Sequence, residues 1–117
     1  MELLYPANQI KTISKIINSS SRYLILCCPF WWQNDGNYQH IKANYMLLSE
    51  VLVPIVRASN RGVFVVLICH SKFRISLNEI FKEEISHNNL FVYSSDNFHC
   101  KLYLNESQAV VTSKNFS

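Results

Sequence analysis

The chain contains little glycine or proline, and it lacks any long apolar segment. Only two of its 117 residues are glycine and three are proline, which leaves little room for flexible linkers. No apolar run approaches the roughly eighteen residues of a membrane helix. The segment 1–6 also lacks the basic and apolar regions of a signal peptide. These absences predict a folded domain without stable membrane association, and we expect it in the cytoplasm.

The chain also lacks a block of basic residues of the kind that forms nucleic-acid-binding tails. Its formal net charge is +3, which suits a partner carrying phosphates without requiring one. Hydrophobic residues make up 49% of the sequence and charged residues only 16%. This balance predicts a single packed domain over residues 1–117 and excludes a disordered chain.

Metal-binding cysteine spacing is missing as well. The four cysteines are Cys27, Cys28, Cys69 and Cys100, and no pair has the two to four intervening residues typical of zinc sites. Each lies in or beside an apolar run, so we expect buried, reduced thiols and no metal. A zinc site joining Cys69 and Cys100 with their neighbouring histidines is a weaker alternative, because neighbours on a strand point to opposite faces.

Apolar periodicity alternates between helical and extended patterns along the chain. It predicts helices over 7–19, 38–59 and 77–86, with a kink or break at Pro54 in the second. It predicts strands over 22–28, 63–69, 90–93, 98–104 and 108–111. The runs at 22–28 and 63–69 are apolar throughout, which is typical of strands covered on both faces. The order predicts an α/β domain whose mixed sheet, flanked by helices, is parallel first and antiparallel at the end.

Chemistry-bearing residues concentrate near the C-terminus. His99 and Lys101 are two positions apart on a predicted strand, so their side chains should share a face with Tyr103. Leu102 and Leu104 would then face the core. This pair of groups suits a phosphate ester. The imidazole can attack phosphorus or protonate a leaving oxygen, and the ammonium neutralises the anion.

A second polar group follows the predicted turn at 105–107. Asn115 offers an amide donor for phosphate oxygens and Ser113 a hydroxyl for positioning, and these roles are favoured over the alternative that both are ordinary loop residues. Glu106 either supports the site from behind or is a solvated carboxylate in the turn. If the second group joins the face of His99, the sequence predicts a site for a phosphate ester.

The order of these residues resembles the signature of the phospholipase D superfamily. That signature reads His-x-Lys, four residues, Asp, about six residues, and Gly-Ser-x-Asn. Here His99 and Lys101 match, Glu106 stands in place of Asp, and Asn115 completes the pattern after Thr112, which stands in place of Gly. The triplet at 61–63, Arg-Gly-Val, is similar to the start of a strand that precedes the motif in that superfamily.

The resemblance implies one half of the phospholipase D fold and a metal-independent phosphodiesterase without a cofactor. His99 would form a phosphohistidine, with Lys101 and Asn115 on the phosphate and Ser113 and Glu106 in support. Single-motif members pair as homodimers, so two copies of His99 would meet at one site. The net positive charge and the lack of an interfacial amphipathic helix favour nucleic acid over lipid as substrate.

The sequence ends two residues after Asn115, whereas superfamily domains continue and supply a carboxylate that orients the histidine. We therefore expect the C-terminal part of the usual domain to be absent. The alternative function is a catalytically impaired module that binds nucleic acid or a protein partner. A third alternative is a phosphatidyl-transferring enzyme.

Other residues carry weaker signals. Trp31 and Trp32 follow the first long predicted strand, where they would line a substrate site or, as the favoured alternative, form a hydrophobic lid over the sheet. The remaining histidines lack motif partners, and the two basic residues after the 63–69 strand are best explained as solvated charge. These histidines are His40, His70 and His87, and the basic residues are Lys72 and Arg74.

Overall fold

The computed structural model describes residues 2–4, 9–31, 47–84, 88–99 and 101–112. Its strands are β1 (Glu2–Leu4), β2 (Tyr23–Cys27), β3 (Phe64–Cys69), β4 (Leu90–Ser94), β5 (Lys101–Asn105) and β6 (Gln108–Thr112). Its helices are α1 (Gln9–Ser19), a π-helical segment (Leu48–Leu52), α2 (Val53–Asn60) and α3 (Ser71–Glu84). The mixed α/β class predicted from the sequence is confirmed.

The six strands form one sheet in the order β1-β6-β5-β2-β3-β4. The pairs β2–β3 and β3–β4 are parallel, while β5 is antiparallel to both β2 and β6. The short strand β1 adds to the far edge in parallel with β6. The parallel part comes first along the chain and the antiparallel hairpin comes last, as the element order predicts.

The core lies between one face of the sheet and the layer of described helices. Helix α1 buries Ile13, Ile16 and Ile17 at helical spacing, and these pack in one cluster with buried residues of the strands and of the other helical segments. On β2 the core positions are Leu24 and Leu26. No helix of the described residues is long and apolar enough to cross a membrane.

The Arg-Gly-Val triplet has a structural explanation at the end of α2. The guanidinium of Arg61 donates to the main-chain carbonyls of Ile17 and Ser20 at 2.8 and 2.9 Å, at the C-terminal end of α1. Gly62 has a φ of +95°, a conformation that other residues rarely adopt, and Val63 is fully buried. The triplet therefore ends one helix, caps another and starts a core strand.

The observed elements depart from the sequence-based expectation at the start of α3, at the start of β5 and in the presence of β1. Helix α3 begins at Ser71, six residues before the predicted start. Strand β5 begins at Lys101, so His99 precedes the strand. Strand β1 was not predicted, because its three residues depend on pairing with β6 more than a hundred positions away. At Pro54, where a kink or break is predicted, the helix continues, and it changes from π to α geometry at Val53, one residue earlier.

The prediction that β2 and β3 are covered on both faces is confirmed only in part: no residue of β2 is exposed, whereas Phe64 of β3 is, and the second face does not join the core. Alternate strand positions form the second face of the sheet, here called the open face, and none of them joins the core cluster. The strand register places these residues on it: Tyr23, Ile25, Cys27, Phe64, Val66, Ile68, Phe91, Tyr93, Leu102, Leu104, Ala109 and Val111. Their apolar character alone suggested burial.

Candidate functional site

Chain segments from several strands meet at one edge of the sheet. Leu102 of β5 lies opposite Cys27 of β2, which lies opposite Ile68 of β3. These three residues form a row across the sheet. His99 comes three residues before Leu102 and His70 comes two residues after Ile68. Because β5 is antiparallel to β2 and β3, both histidines lie past the same end of the row. The strands β5 and β3 that they adjoin are two strand spacings apart, about 10 Å. This is the edge formed by the carboxyl ends of the parallel strands, where α/β sheets place their ligands.

His99 and Lys101 both lie at this edge. His99 is exposed and Lys101 is half-buried at the first position of β5. Lys101 pairs with Thr112, the last residue of β6. Ser113 and Asn115, the other members of the predicted site, follow Thr112 and lie outside the described residues. The described structure therefore places His99 and Lys101 at a common edge of the sheet, where β6 also ends.

The predicted division of β5 into a polar face and a core face is wrong. Tyr103 is fully buried in the core, whereas Leu102 and Leu104 are half-buried on the open face. The alternation is therefore the reverse of the expected one, and Lys101 shares its face with Tyr103 at the helix-covered side of the sheet. A charged residue is tolerated there because the strand begins at Lys101, at the margin of the core.

Trp31 belongs to the hydrophobic core. Its side chain has no exposed surface, so its ring cannot stack on a substrate base, and the substrate-lining interpretation is corrected in favour of the hydrophobic lid. The physical reason is that the chain after β2 turns towards the helix layer, where Cys28 and Trp31 join the core cluster. Trp32 lies outside the described residues.

Glu106 lies at the opposite end of the β5–β6 hairpin from Lys101, beside the amino-terminal end of β2, so the expected position directly behind the site is corrected. Its Oε1 accepts hydrogen bonds from the backbone N–H of Ser21 at 2.7 Å, from the Ser21 hydroxyl at 3.1 Å and from the N–H of Arg22. Burial raises its pKa, but the N–H groups of Arg22 and Ser21 outweigh this and hold the pKa at about 2. The carboxylate thus ties the β5–β6 turn to the connection between α1 and β2, and it is not a freely solvated turn residue.

Asn105, the neighbour of Glu106, was missed as a role-bearing residue by sequence reasoning. Its side chain is fully buried. Its Nδ2 donates to the carbonyl of Ile16 and to the hydroxyl of Ser19, and its Oδ1 accepts from the N–H groups of Ser107 and Gln108. All four contacts lie between 2.8 and 3.0 Å. The Asn-Glu pair therefore fixes the hairpin from which Lys101 and the end of β6 project.

A second cluster at the carboxyl edge centres on His70. Its Nδ1 accepts the N–H of Lys72 at 3.2 Å, and its Nε2 lies 3.6 Å from Oδ1 of Asp96. The same Asp96 oxygen accepts the N–H of Ser71 at 3.2 Å. The Ser71 hydroxyl and N–H, followed by the nearby imidazole, lower the pKa of Asp96. These contacts hold the imidazole of His70 against the start of α3, with its two nitrogens facing Lys72 and Asp96.

Lys72 is more than a solvated charge. Its Nζ lies 4.7 Å from the ring centroid of Phe30 and 5.7 Å from that of Phe73, and Phe30 stacks on His70 with centroids 5.7 Å apart. These contacts join the segments after β2 and β3 at the edge. The signal that could have found the cluster is position alone, since its members directly follow parallel strands.

The thiols do not provide a nucleophile or a metal site in the described residues. Cys27, Cys28 and Cys69 are buried, as expected, and form no disulfide with one another. Cys100 lies outside the described residues. Burial raises the pKa of Cys69 to about 12, despite the opposing charge of Arg74, so its thiolate is not populated at neutral pH. Within the described ranges no three histidine, cysteine or acidic side chains cluster to hold a metal ion.

Comparison with known proteins identifies a fold similarity only. No protein-family model matches the chain, and no curated protein matches it. Among solved structures, the chain is similar to TrmBL2, an archaeal chromatin protein described as showing a novel mode of DNA binding, with a TM-score of 0.53 and 15% sequence identity. The similarity covers 86% of this chain and 35% of TrmBL2, so the chain spans about a third of that protein.

Proposed function

We propose that the chain is a metal-independent phosphodiesterase of the phospholipase D type that acts on nucleic acid through the carboxyl edge of its sheet. The observation that supports the proposal is that Lys101 begins β5 opposite the end of β6, at the carboxyl ends of the parallel strands, with His99 two residues before it. Comparable edges of α/β sheets hold phosphate-containing ligands. The reduced thiols suit action in the cytoplasm.

The proposed reaction has two displacements at phosphorus. A nitrogen of His99 attacks the phosphorus, a phosphohistidine bond forms, and the bond to the leaving oxygen breaks as that oxygen takes up a proton. Water then attacks the phosphohistidine, which releases a phosphomonoester and restores the imidazole. Lys101 would neutralise the non-bridging oxygens, and the Asn115 amide would donate to them. No redox partner or metal is needed in either step.

The leaving oxygen requires a proton donor other than the attacking imidazole. His70 is unsuited to this role, because its two ring nitrogens already face Lys72 and Asp96. The resemblance to single-motif phospholipase D proteins assigns the role to His99 of a second copy, and this assignment forms part of the proposal. Ser113 and Glu106 keep positioning roles, the latter through the contacts that fix the hairpin.

A second candidate function is a binding module that has lost catalysis. Two observations favour it. TrmBL2 is described as a DNA-binding protein, and it shares the fold of this chain. In addition, no hydrogen bond or ion pair joins His99 to another described residue. The described residues therefore do not include a carboxylate that orients the imidazole of His99. Such a module would hold nucleic acid through Lys101 without turnover.

One labelled oligonucleotide, single-stranded and as a duplex, separates these functions when cleavage and binding are both measured in EDTA. The proposal predicts cleavage by the wild type, binding without cleavage by His99→Ala, and weakened binding and cleavage by Lys101→Ala. Lys82→Ala is the matched control, because Lys82 is an exposed lysine in the last turn of α3. Its behaviour should equal that of the wild type.

Each contrary result has a defined meaning. Binding without cleavage by the wild type, weakened by Lys101→Ala and by added salt, would replace the proposal with the binding module. Cleavage that requires a metal ion, or that survives His99→Ala, would remove the phosphohistidine mechanism. Turnover of phospholipid vesicles in place of DNA would identify a phosphatidyl-transferring enzyme.

A further inference from the structure

Strand β4 forms one side edge of the sheet, and no described strand pairs with its outer side. Its inner side pairs with β3 along its whole length, from Leu90 opposite Val65 to Ser94 opposite Cys69. The outer side of such a strand carries a row of backbone donors and acceptors with which an incoming strand can pair. The other side edge, β1, has only three residues, and a short edge strand offers much less to a partner.

The hydrogen bonds between β3 and β4 show which backbone groups of β4 face outwards. The carbonyl of Asn89 accepts the N–H of Val65 at 2.8 Å, and the N–H of Ser95 donates to the carbonyl of Cys69 at 3.0 Å. Backbone direction alternates from residue to residue along a strand. The even-numbered residues of β4 therefore direct their N–H and C=O groups away from β3, and these groups bond no other described residue. These residues are Leu90, Val92 and Ser94.

The outer side of β4 lacks the features that usually keep an edge strand from pairing. Those features include lysine, proline, a β-bulge and an inward-pointing charge. Strand β4 reads Leu-Phe-Val-Tyr-Ser, without a charge or a proline, and its register with β3 is continuous, without a bulge. Because an unprotected edge promotes aggregation, its presence here indicates that the edge has a binding partner.

Apolar side chains lie on both sides of this edge. On the open face, Phe91 is 36% and Tyr93 56% exposed, and the ring of Phe91 lies against that of Phe64 with centroids 5.2 Å apart. On the helix side, Leu90 and Ile80 of α3 are partly buried at the margin of the core. Side chains on neighbouring strands interact on each face, so an added strand with apolar residues would extend both groups.

We propose that β4 binds an extended peptide segment of another protein, which adds a strand to the sheet beside Leu90–Ser94. Backbone hydrogen bonds to the even-numbered residues of β4 supply affinity, and apolar side chains of the peptide supply specificity. A helix does not suit this place, because its backbone groups bond within the helix. The edge lies three strands away from β5, so the binding is separate from the proposed chemistry of His99.

A second copy of the chain is a poorer occupant of this edge. Each copy has three strand spacings between β4 and β5, so two copies joined at β4 would hold their β5 strands about 33 Å apart. That separation is incompatible with a homodimer in which two copies of His99 meet. This choice between occupants rests on the proposed function, whereas the open edge itself does not.

A synthetic peptide of alternating valine and threonine, with a lysine at each end for solubility, is the probe. Fluorescence anisotropy of the labelled peptide measures binding, and the wild type should bind it with a dissociation constant of about 10–300 µM, as expected for a small interface. Ser94→Pro should weaken binding at least about tenfold, because proline lacks the outward N–H and its ring obstructs the incoming strand. Ser94→Ala is the matched control, since it keeps the N–H, and it should bind as the wild type does.

Two further measurements use the unaltered protein, so they decide the matter even if Ser94→Pro does not fold. Methylation of alternate backbone nitrogens removes the donors from one side of the peptide strand. One of the two possible methylation patterns should abolish binding and the other should preserve it. In addition, the bound peptide should slow amide hydrogen exchange at Leu90, Val92 and Ser94 more than at Phe91 and Tyr93, which already face β3.

A wild type that does not bind the peptide at concentrations up to about 1 mM would overturn the proposal. Equal binding by a folded Ser94→Pro variant, or the same effect of both methylation patterns, would also overturn it. Slower exchange at the same three amides with rising protein concentration, without peptide, would identify a second copy as the occupant and contradict the proposal. None of these measurements depends on DNA cleavage, so a failure here is distinguishable from a failure of the proposed function.

Discussion

The buried side chain of Asn105 donates a hydrogen bond to the main-chain carbonyl of Ile16, 2.8 Å away. The two residues are 89 positions apart in sequence, and the contact joins the last hairpin of the sheet to the first helix. Because Lys101 begins the strand that ends at Asn105, the candidate site depends on this remote contact for the placement of its hairpin.

We expect Asn105→Ala to lower the free energy of unfolding by about 2–4 kcal/mol. The substitution removes four hydrogen bonds and leaves buried backbone groups without partners. Urea denaturation followed by circular dichroism measures the change. Asn18→Ala is the control, because Asn18 is an exposed asparagine on α1 whose side chain bonds only Ser14 among the described residues. That variant should change the free energy by less than about 0.5 kcal/mol.

The carboxylate of Glu106 should make stability depend on acid pH. Its pKa is about 2 in the folded protein, below the ordinary value of 4.5, so the folded state favours the ionised form. The stability that it contributes is complete above pH 4.5 and is lost as the pH falls towards 2. Glu106→Gln should therefore be less stable than the wild type at pH 7, and the difference should shrink towards pH 2.

Denaturation midpoints of both proteins between pH 2 and pH 7 measure this dependence. Glu79→Gln serves as the control, since Glu79 is an exposed carboxylate on α3, and its stability curve should parallel that of the wild type. A Glu106→Gln variant whose difference from the wild type does not change with pH would show that the contacts to Ser21 and Arg22 do not depend on charge.

Arg61 should not be replaceable by lysine. Its guanidinium reaches several acceptors at the end of α1 at once, among them the carbonyls of Ile17 and Ser20, whereas a lysine ammonium lacks the planar fork that this geometry requires. We expect Arg61→Lys to lower the free energy of unfolding by about 1–3 kcal/mol. Arg57→Lys, at an exposed position in the last turn of α2, should leave it nearly unchanged. Equal thermal stability of the two variants would contradict the capping role.

Much of the fold could be predicted from the sequence because its elements follow local apolar patterns. The core helix positions of Ile13, Ile16 and Ile17 repeat with helical spacing, and they are buried as that spacing predicts. The start of α3 could not be predicted in this way. Its first N–H groups are satisfied by His70 and by Asp96, and the latter is 25 residues away from Ser71. Asp96 is too remote in sequence to signal a helix start, and His70, the local acceptor, is not among the residue types that usually cap helices.

The candidate site also depends on contacts between residues that are remote in sequence, which local patterns cannot predict. The two-residue spacing of His99 and Lys101 predicted that they share a face of the strand, but it could not show which face of β5 would be covered. Tyr103 has an apolar ring and a polar hydroxyl, and either face could accept it. The packing of α1 against β5 and β6 covers the face that carries Tyr103, and it leaves Leu102 on the open face.

The central claim is that His99 forms the bond to phosphorus, and the metal-free cleavage rate of His99→Ala relative to the wild type tests it most directly. With DNA in excess EDTA, the account predicts measurable cleavage by the wild type and a loss of at least about a thousandfold in the variant, because removing a covalent nucleophile removes the pathway. A variant that cleaves within a few-fold of the wild type rate would contradict it.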